Sequence, residues 1–289
     1  MSKYGLKSIV SKSSTLKAAA AYLYYSRETR ARFLPARRTS SDGAVFFTMQ
    51  KCASTYITKA LAIVEECYAK TVYNFEGLYW SSGDPDMVRS IHRDAEKLFV
   101  QPNAIYGPMR NFFPVPNLEK RPLVLMLRDP RDVLVSSYYS VAYSHNLPGG
   151  KAARQAFEER RSKAQAMDID AFVKEATRNF FPRYKAYADN LLGRPNLTFL
   201  TYENLIEDPE DWAERFLVGM GLEPVPTSLN RLVAAYSDGL PTGDKANDKN
   251  SHRRSGASRQ FETMLKPETI AYINEEIGDV LERFAAWEK

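Results

Sequence analysis

Three short segments of this 289-residue chain carry residue types suited to gripping an anion. The first is Gln50-Lys51-Cys52-Ala53-Ser54-Thr55-Tyr56. Small side chains at 52–55 let peptide N–H groups crowd around an anion. A following helix N-terminus adds its dipole, Lys51 adds a full charge, and Ser54 and Thr55 add hydroxyl donors. It is not a Walker A loop, because GxxxxGK[ST] is missing and no glycine occurs between 44 and 76. The second segment runs from Arg128-Asp129-Pro130-Arg131-Asp132 to Ser136. An arginine at the end of a strand, with a hydroxyl about two helical turns later, makes a phosphate clamp. The third, His252-Arg253-Arg254-Ser255-Gly256-Ala257-Ser258, sets two guanidiniums beside a glycine that permits close backbone approach. Each segment also has an ordinary reading: a Ser/Thr-capped turn, an intrahelical Arg128–Asp132 pair, and a solvated charge run.

These groups need elements to aim them. Ala44–Met49 reads as a short buried strand, and Ile57, Ala60, Leu61, Val64 and Tyr68 follow at helical spacing. Thr71–Phe75 reads as a second strand, completing a βαβ-like unit. Leu123–Leu127 (LVLML) is the strongest buried-strand signal, with Pro130 placed to open a helix through Val141. Charged helical sequence from Lys151 to Leu192 precedes a fourth strand, Leu197–Tyr202. Pro209 opens a further helix, and Ile270–Phe284 closes the series with one apolar face. Residues 82–120, rich in Pro, Gly and Asn, read as one helix near Met87–Phe99 and otherwise as an irregular wrapping segment. Strands alternating with helices predict an α/β fold with a mostly parallel central sheet covered by helices on both faces. Arg128 then lies at the carboxyl edge of the sheet, where open α/β sheets bind ligands. The long polar loop between Leu240 and Gln260 reads as functional rather than as a mere connection.

An apolar fraction of 44% suffices for a continuous core. Two cysteines without CxxC spacing and three scattered histidines support neither a disulfide framework nor a metal site. The formal charge of +5 is uneven: residues 1–38 hold nine Lys/Arg against Glu28 alone, a charge of +8 that leaves −3 for the rest. Basicity is thus a property of an N-terminal arm and not of the body, which argues against nucleic acid as a partner. The arm reads as a solvated tail, or as a helix around Leu16–Tyr25 resting on an anionic membrane surface. That run is too short to span a bilayer, and no secretory signal pattern precedes it, so the expected location is cytoplasmic, peripheral to a membrane. The expected organisation is a basic arm, 1–40, and one domain, 41–289.

Taken together and in order, the motifs resemble the PAPS-dependent sulfotransferase family, PAPS being 3′-phosphoadenosine 5′-phosphosulfate. Gln50–Tyr56 is similar to the family's 5′-phosphosulfate loop, PKSGTTW, with Gln for Pro, Cys and Ala for Ser and Gly, and Tyr56 for Trp. Arg128-Asp129-Pro130 through Ser136 resembles the 3′-phosphate motif RNPxDxxVS. Tyr202-Glu203-Asn204-Leu205 resembles YEDL, and Arg254-Ser255-Gly256 with Phe261 resembles the late RKGxxGxW loop, with Arg259 in place of its second glycine. The resemblance implies a P-loop-containing nucleotide hydrolase-like sulfotransferase fold. It implies Lys51 as the catalytic lysine. It also implies cofactor contacts from Lys51, Cys52, Ala53, Ser54, Thr55, Tyr56 (against the adenine), Arg128, Ser136, Tyr202 (near the adenine), Arg254, Ser255 and Gly256. The donor would be PAPS, without a metal, and the product 3′,5′-adenosine bisphosphate (PAP).

Sulfuryl transfer, like phosphoryl transfer, relies on positioning and charge stabilisation. An acceptor hydroxyl or amine also needs a base. Many small-molecule members use a His in a KxHxP-like segment, but the comparable stretch here, Ile105–Arg110, has none. Carbohydrate- and tyrosine-directed members use a Glu after the second strand, a place taken here by Glu76, with His145 as the runner-up. Aromatics of 77–120 (Tyr79, Trp80, Tyr106, Phe112, Phe113) read either as acceptor-pocket lining or as core. Two other classes stay open on sequence: a kinase-like nucleotide-binding enzyme with a degenerate P-loop, and a membrane- or nucleic-acid-binding protein led by the basic arm.

Overall fold

The computed structural model describes residues 14–34, 39–40, 42–84, 86–145, 151–239 and 257–287. Two wholly buried strands, β1 (Ala44–Thr48) and β4 (Leu123–Leu127), set the layering. Successive strand residues point to opposite faces of a sheet. Val45, Phe47, Leu123, Leu125 and Leu127 therefore enter one core, while Ala44, Phe46, Val124 and Met126 enter another. The first core is covered by α4 (Phe75–Ser81), α5 (Met87–Leu98), α6 (Pro130–Tyr139), α8 (Ile169–Leu191) and α13 (Pro267–Phe284). The second is covered by α3 (Ser54–Tyr68), α10 (Pro209–Gly219) and α11 (Pro226–Ser237). Burial on both faces explains why these strands read as continuous apolar runs.

Among the described residues the sheet has five strands, all parallel, in the order β2-β3-β1-β4-β5, with β2 at Thr71–Tyr73 and β5 at Leu197–Thr201. The chain first builds to one side of β1 and then crosses to β4 on the other, so the switch point lies between the carboxyl ends of β1 and β4. Crevices at such points are where ligands of this architecture bind. Lys51 follows β1 and Arg128 follows β4.

Residues 104–109 correct the sequence reading: they form β3, fully buried between β2 and β1, rather than an irregular segment. Gly107-Pro108 hid the strand, because a proline cannot donate to a sheet ladder and normally argues against a central strand. The ladder accommodates it by a register shift, from Val45↔Tyr106 to Phe47↔Met109. Tyr79, Tyr106 and Phe113 belong to the core, while Trp80 is 75% exposed. The charged stretch before β5 divides into α7 (Lys151–Ala166) and α8, with Asp168 capping the second.

The arm contributes two helices, α1 (Ser14–Tyr24) and α2 (Ser26–Phe33), packed on α4 and α5. Glu28, the arm's one acid, is buried and accepts the Asn74 N–H at 2.8 Å; Asn74 Oδ1 in turn accepts Gly77 N–H at 2.8 Å and so caps α4. A side chain at Gly77 would meet the Tyr25 hydroxyl at 2.6 Å, so glycine is what allows the arm to close on this turn.

Arg121 ties the layers together. Only 1% exposed, it donates to the carbonyls of Pro116 (2.9 Å), Gly43 (3.1 Å) and Phe99 (2.6 Å), and its guanidinium lies 5.6 Å from the Tyr106 ring centroid. Arg121→Met leaves three carbonyls without this donor and should lower stability by about 3 kcal/mol. An unchanged denaturation midpoint would contradict the role given to it.

Candidate active site

The loop after β1 starts from backbone that a glycine would ordinarily supply. Lys51 (φ 72°) and Ala53 (φ 53°) both adopt left-handed conformations, the latter immediately before α3. Non-glycine residues in this region are strained by about 1–2 kcal/mol and cluster at functional sites. Two left-handed turns in quick succession point the chain back toward the switch point. Cys52 is wholly buried between them, and burial pushes its thiol up to about 12, so it serves as neutral packing beside the Arg128 backbone and not as a nucleophile. Ser54 is half-buried and Thr55 exposed at the start of α3.

Lys51 is half-buried, and its ammonium is pushed down to about 8, first by burial and then by the charge of Arg128. Among the described residues no carboxylate forms an ion pair with it. Arg128, 4% exposed, donates from Nη2 to Asp132 Oδ2 at 3.0 Å and to the Ala257 carbonyl at 2.8 Å, and it stacks 4.4 Å from the Tyr202 ring centroid. Its Nε is buried without a hydrogen-bond partner. Asp132 is wholly buried and its other oxygen accepts Phe261 N–H at 3.1 Å. Burial pushes this carboxyl up while Arg128 pulls it down, and the first effect prevails. The intrahelical pair foreseen for Arg128 and Asp132 therefore forms, yet it leaves part of the guanidinium unsatisfied. Arg131 is engaged elsewhere, forked on Asp129 at 2.7–3.2 Å and set 4.1 Å from the Phe261 ring centroid. Ser136 lies half-buried on α6.

Two tyrosines of α8 fix the sheet edge. Tyr184 donates to the Arg128 carbonyl at 2.6 Å and Tyr187 to the Thr48 carbonyl at 2.7 Å, so one helix caps the ends of β4 and β1 together. Glu203 accepts Asp129 N–H at 3.1 Å and the Trp287 indole N–H at 3.0 Å, holding the turn on its other side. Sequence reasoning missed these supports; a tyrosine on an amphipathic helix gives no sign of where its hydroxyl ends.

Tyr56 is buried, with Trp212 and Tyr236 ring centroids at 5.5 and 5.6 Å, and its hydroxyl donates to the Leu232 carbonyl at 3.2 Å. Tyr202 lies within electrostatic reach of Tyr236. The cluster of Tyr56, Trp212 and Tyr236 is thus on the side of Tyr202, whose own ring faces the Arg128 guanidinium. Tyr236 had not been singled out in the sequence. Arg254, Ser255 and Gly256 lie outside the described residues; Ala257, the next residue in the chain, is hydrogen-bonded to Arg128.

Glu76, 6% exposed in the first turn of α4, accepts from Arg110 N (2.5 Å), Asn111 N (3.3 Å) and Asn111 Nδ2 (3.1 Å). Burial raises its carboxyl and these donors pull against it, leaving it above the ordinary glutamate value. A carboxylate has about four acceptor positions. Three donors leave room for one more proton-bearing partner. The charge of Glu76 reaches Tyr187 at the end of β1, as do Cys52 and Arg183. Arg183 donates to Gln50 Oε1 at 2.5 Å, so the loop carrying Lys51 and the Glu76 turn share this edge. His145 ends a π-helical extension of α6, Ser140–Ser144, and its imidazole is held below the ordinary value by burial, then by Lys51, Arg161 and Arg160.

The carboxyl edge of the sheet thus gathers a lysine, a clamped arginine with an unsatisfied donor, a cluster of aromatic rings and a buried carboxylate. A family model described as the sulfotransferase domain matches residues 112–285, more than half of the chain. The match takes in Arg128, Ser136, Tyr202 and the late loop, while Lys51 and Glu76 precede it. No curated protein sequence matches. Among solved structures, mouse sulfotransferase SULT7A1 complexed with PAP superposes with a TM-score of 0.58 at 14% identity, covering 88% of each chain. Sulfotransferase STF9 from Mycobacterium avium gives a TM-score of 0.46 at 10% identity, covering 93% of this chain and 83% of that one. With the family model spanning both the 3′-phosphate-like motif and the late loop, this chain belongs to the sulfotransferase family of enzymes.

Proposed function

We propose that the protein transfers a sulfuryl group from PAPS to an acceptor hydroxyl or amine of a carbohydrate, lipid or small molecule, with release of PAP. The observation that carries this reading is positive charge short of partners at the switch point: Arg128, though paired with Asp132, has an orphaned Nε, and half-buried Lys51 has no carboxylate partner among the described residues. An anion with one phosphate on each group satisfies both. In this reading Arg128, with Ser136 and the Arg254-Ser255-Gly256 loop, holds the 3′-phosphate. Lys51 and the N–H groups and hydroxyls of Cys52, Ala53, Ser54 and Thr55 hold the 5′-phosphosulfate, and the rings of Tyr56, Tyr236 and Tyr202 take the adenine. A kinase-like reading has no use for a second buried clamp set apart from the phosphate loop. The catalytic domain is taken as 41–289, with the described arm residues 14–34 packed against it.

PAPS supplies the sulfuryl group. Lys51 stabilises negative charge growing on the departing bridging oxygen. Glu76 takes the acceptor proton, its affinity for a proton raised by burial. The three donors from Arg110 and Asn111 hold its carboxylate still while it does so. His145 is the second reading for the base, favoured by its proximity to the Lys51 charge and its lowered imidazole value.

Label transfer from [35S]PAPS to a panel of sugar, lipid and phenol acceptors tests the activity, and a panel without transfer to any member would count against it. Once an acceptor is found, Glu76→Gln should lose about 100-fold or more in kcat while keeping PAP affinity. A His145→Gln variant with that loss, beside a Glu76→Gln enzyme of normal rate, would move the base to His145. The pH dependence follows from Lys51. Its ammonium is charged below about pH 8 and neutral above, so PAP affinity should fall above that pH, by up to about tenfold per unit. Lys51→Met should flatten the profile; a flat profile in the unaltered protein would remove Lys51 from the phosphate site.

A further inference from the structure

The arm helix α1 is apolar on the face it buries and apolar again on the face it shows. Ala21 is buried, and Tyr22 and Tyr25 pack against the core beneath. Facing outward are Leu16, Ala19, Ala20, Leu23 and Tyr24, spaced i, i+3, i+4, i+7, i+8, which places them on one side of a helix. Leu23 is 79% exposed and Tyr24 81%. Phe33 and Leu34 at the end of α2, and Trp80 on α4 against which the arm packs, are also exposed. A helix so largely apolar, with Lys17 its one charged residue, belongs in a larger core or at a membrane, and at 11 residues this one is too short to cross a bilayer.

Charge decides what covers the stripe. The arm's single acid, Glu28, is turned inward onto the Asn74 N–H and buried. Arg32 is also turned inward, over the Tyr79 ring at 4.2 Å, whereas Arg30 is exposed. What an approaching surface meets on the arm is therefore apolar and cationic, within a segment of net charge +8. That combination matches the interface of an anionic bilayer, where Leu, Tyr and Trp side chains enter the headgroup region and Lys/Arg attract acidic lipids. It does not match a protein core, which would leave the cations unpaired.

We propose that the Leu16–Leu23–Tyr24 face of α1, with Phe33, Leu34 and Trp80 beside it, is a docking surface for an anionic membrane, lying flat in the interface without spanning it. Because the arm is anchored to α4 through Glu28 and Asn74, docking there places the turn that bears Glu76 beside the lipid surface. The proposal concerns this face alone and requires neither PAPS nor the assignment of the base.

Co-sedimentation of the full chain with phosphatidylcholine–phosphatidylserine vesicles, against phosphatidylcholine alone, tests it. Binding should need phosphatidylserine and weaken with salt. Leu23→Glu with Tyr24→Glu should cut it by about tenfold or more while leaving PAP affinity and thermal unfolding unchanged. The milder pair Leu23→Ala and Tyr24→Ala should lower binding in the same direction, covering the case in which the glutamates disturb folding. Brominated lipid should quench Trp80, a signal that Trp80→Phe removes; Trp212 and Trp287 are buried. A protein that stays in the supernatant, binding indifferent to these substitutions, or vesicle binding without quenching overturns the proposal. Concentration-dependent dimers that the Leu23 and Tyr24 substitutions dissolve would overturn it in favour of a second copy over the stripe. Every one of these outcomes leaves the sulfotransferase reading to its own tests.

Discussion

Two cations at the carboxyl ends of adjacent strands, Arg128 buried and Lys51 half-buried, are the constraint around which this molecule is organised. Lys51 and Arg128 come from loops after different strands, and each lies at the switch point of a parallel sheet. Burial, and after it the charge of Arg128, holds the Lys51 ammonium below its ordinary value. Burying like charges is unfavourable unless neighbours compensate, and among the described residues Asp132 is the carboxylate paired with Arg128. Much of the surrounding structure can be understood as the means of holding this pair in place. Tyr184 and Tyr187 fix the two strand ends, Glu203 and Trp287 brace the Asp129 turn, and Asp132 links Arg128 to Phe261 beyond the late loop. A charge arrangement left incomplete by the protein is what a polyanionic ligand completes, and in doing so it is bound more tightly than an exposed pair of cations would allow.

The same logic explains the division of labour among the arginines. Arg121, Arg128 and Arg131 are all buried, yet their partners differ. Each guanidinium nitrogen of Arg121 donates to a carbonyl, and Arg131 is forked on Asp129 and reaches Asn274, so no nitrogen of either is left without a partner. Arg128 alone among the three keeps a buried donor without a partner. Burial of a cation is thus no guide to function by itself; the accounting of its donors is.

Much of this was legible in the sequence for a physical reason. Strands buried on both faces must be apolar throughout, and β1 and β4 announced themselves that way. The helix after Arg128 could be placed because Pro130 fits a first helical position; the structure adds the cap, Asp129 accepting Arg131 N–H at 2.9 Å. What escaped was whatever depends on the backbone or on long-range reach. The strand at 104–109 was disguised by Gly107-Pro108. The donors to Glu76 are largely peptide N–H groups, which no side-chain pattern reveals. The arm, read as a solvated or membrane-bound tail, also docks on the domain through Glu28, a contact spanning 46 residues. Tyr56, expected against an adenine, is packed by Trp212 and Tyr236, so the aromatic cluster is larger than its motif suggested.

The central claim is that Arg128 and Lys51 await a nucleotide phosphorylated at both ends of its ribose. Calorimetric titration with PAP, and separately with ADP and ATP, addresses this most directly. The account predicts tight binding of PAP, weak binding of the other two, and loss of PAP binding in Arg128→Ala with the fold intact. Preference for ATP, or PAP binding indifferent to Arg128, would contradict it.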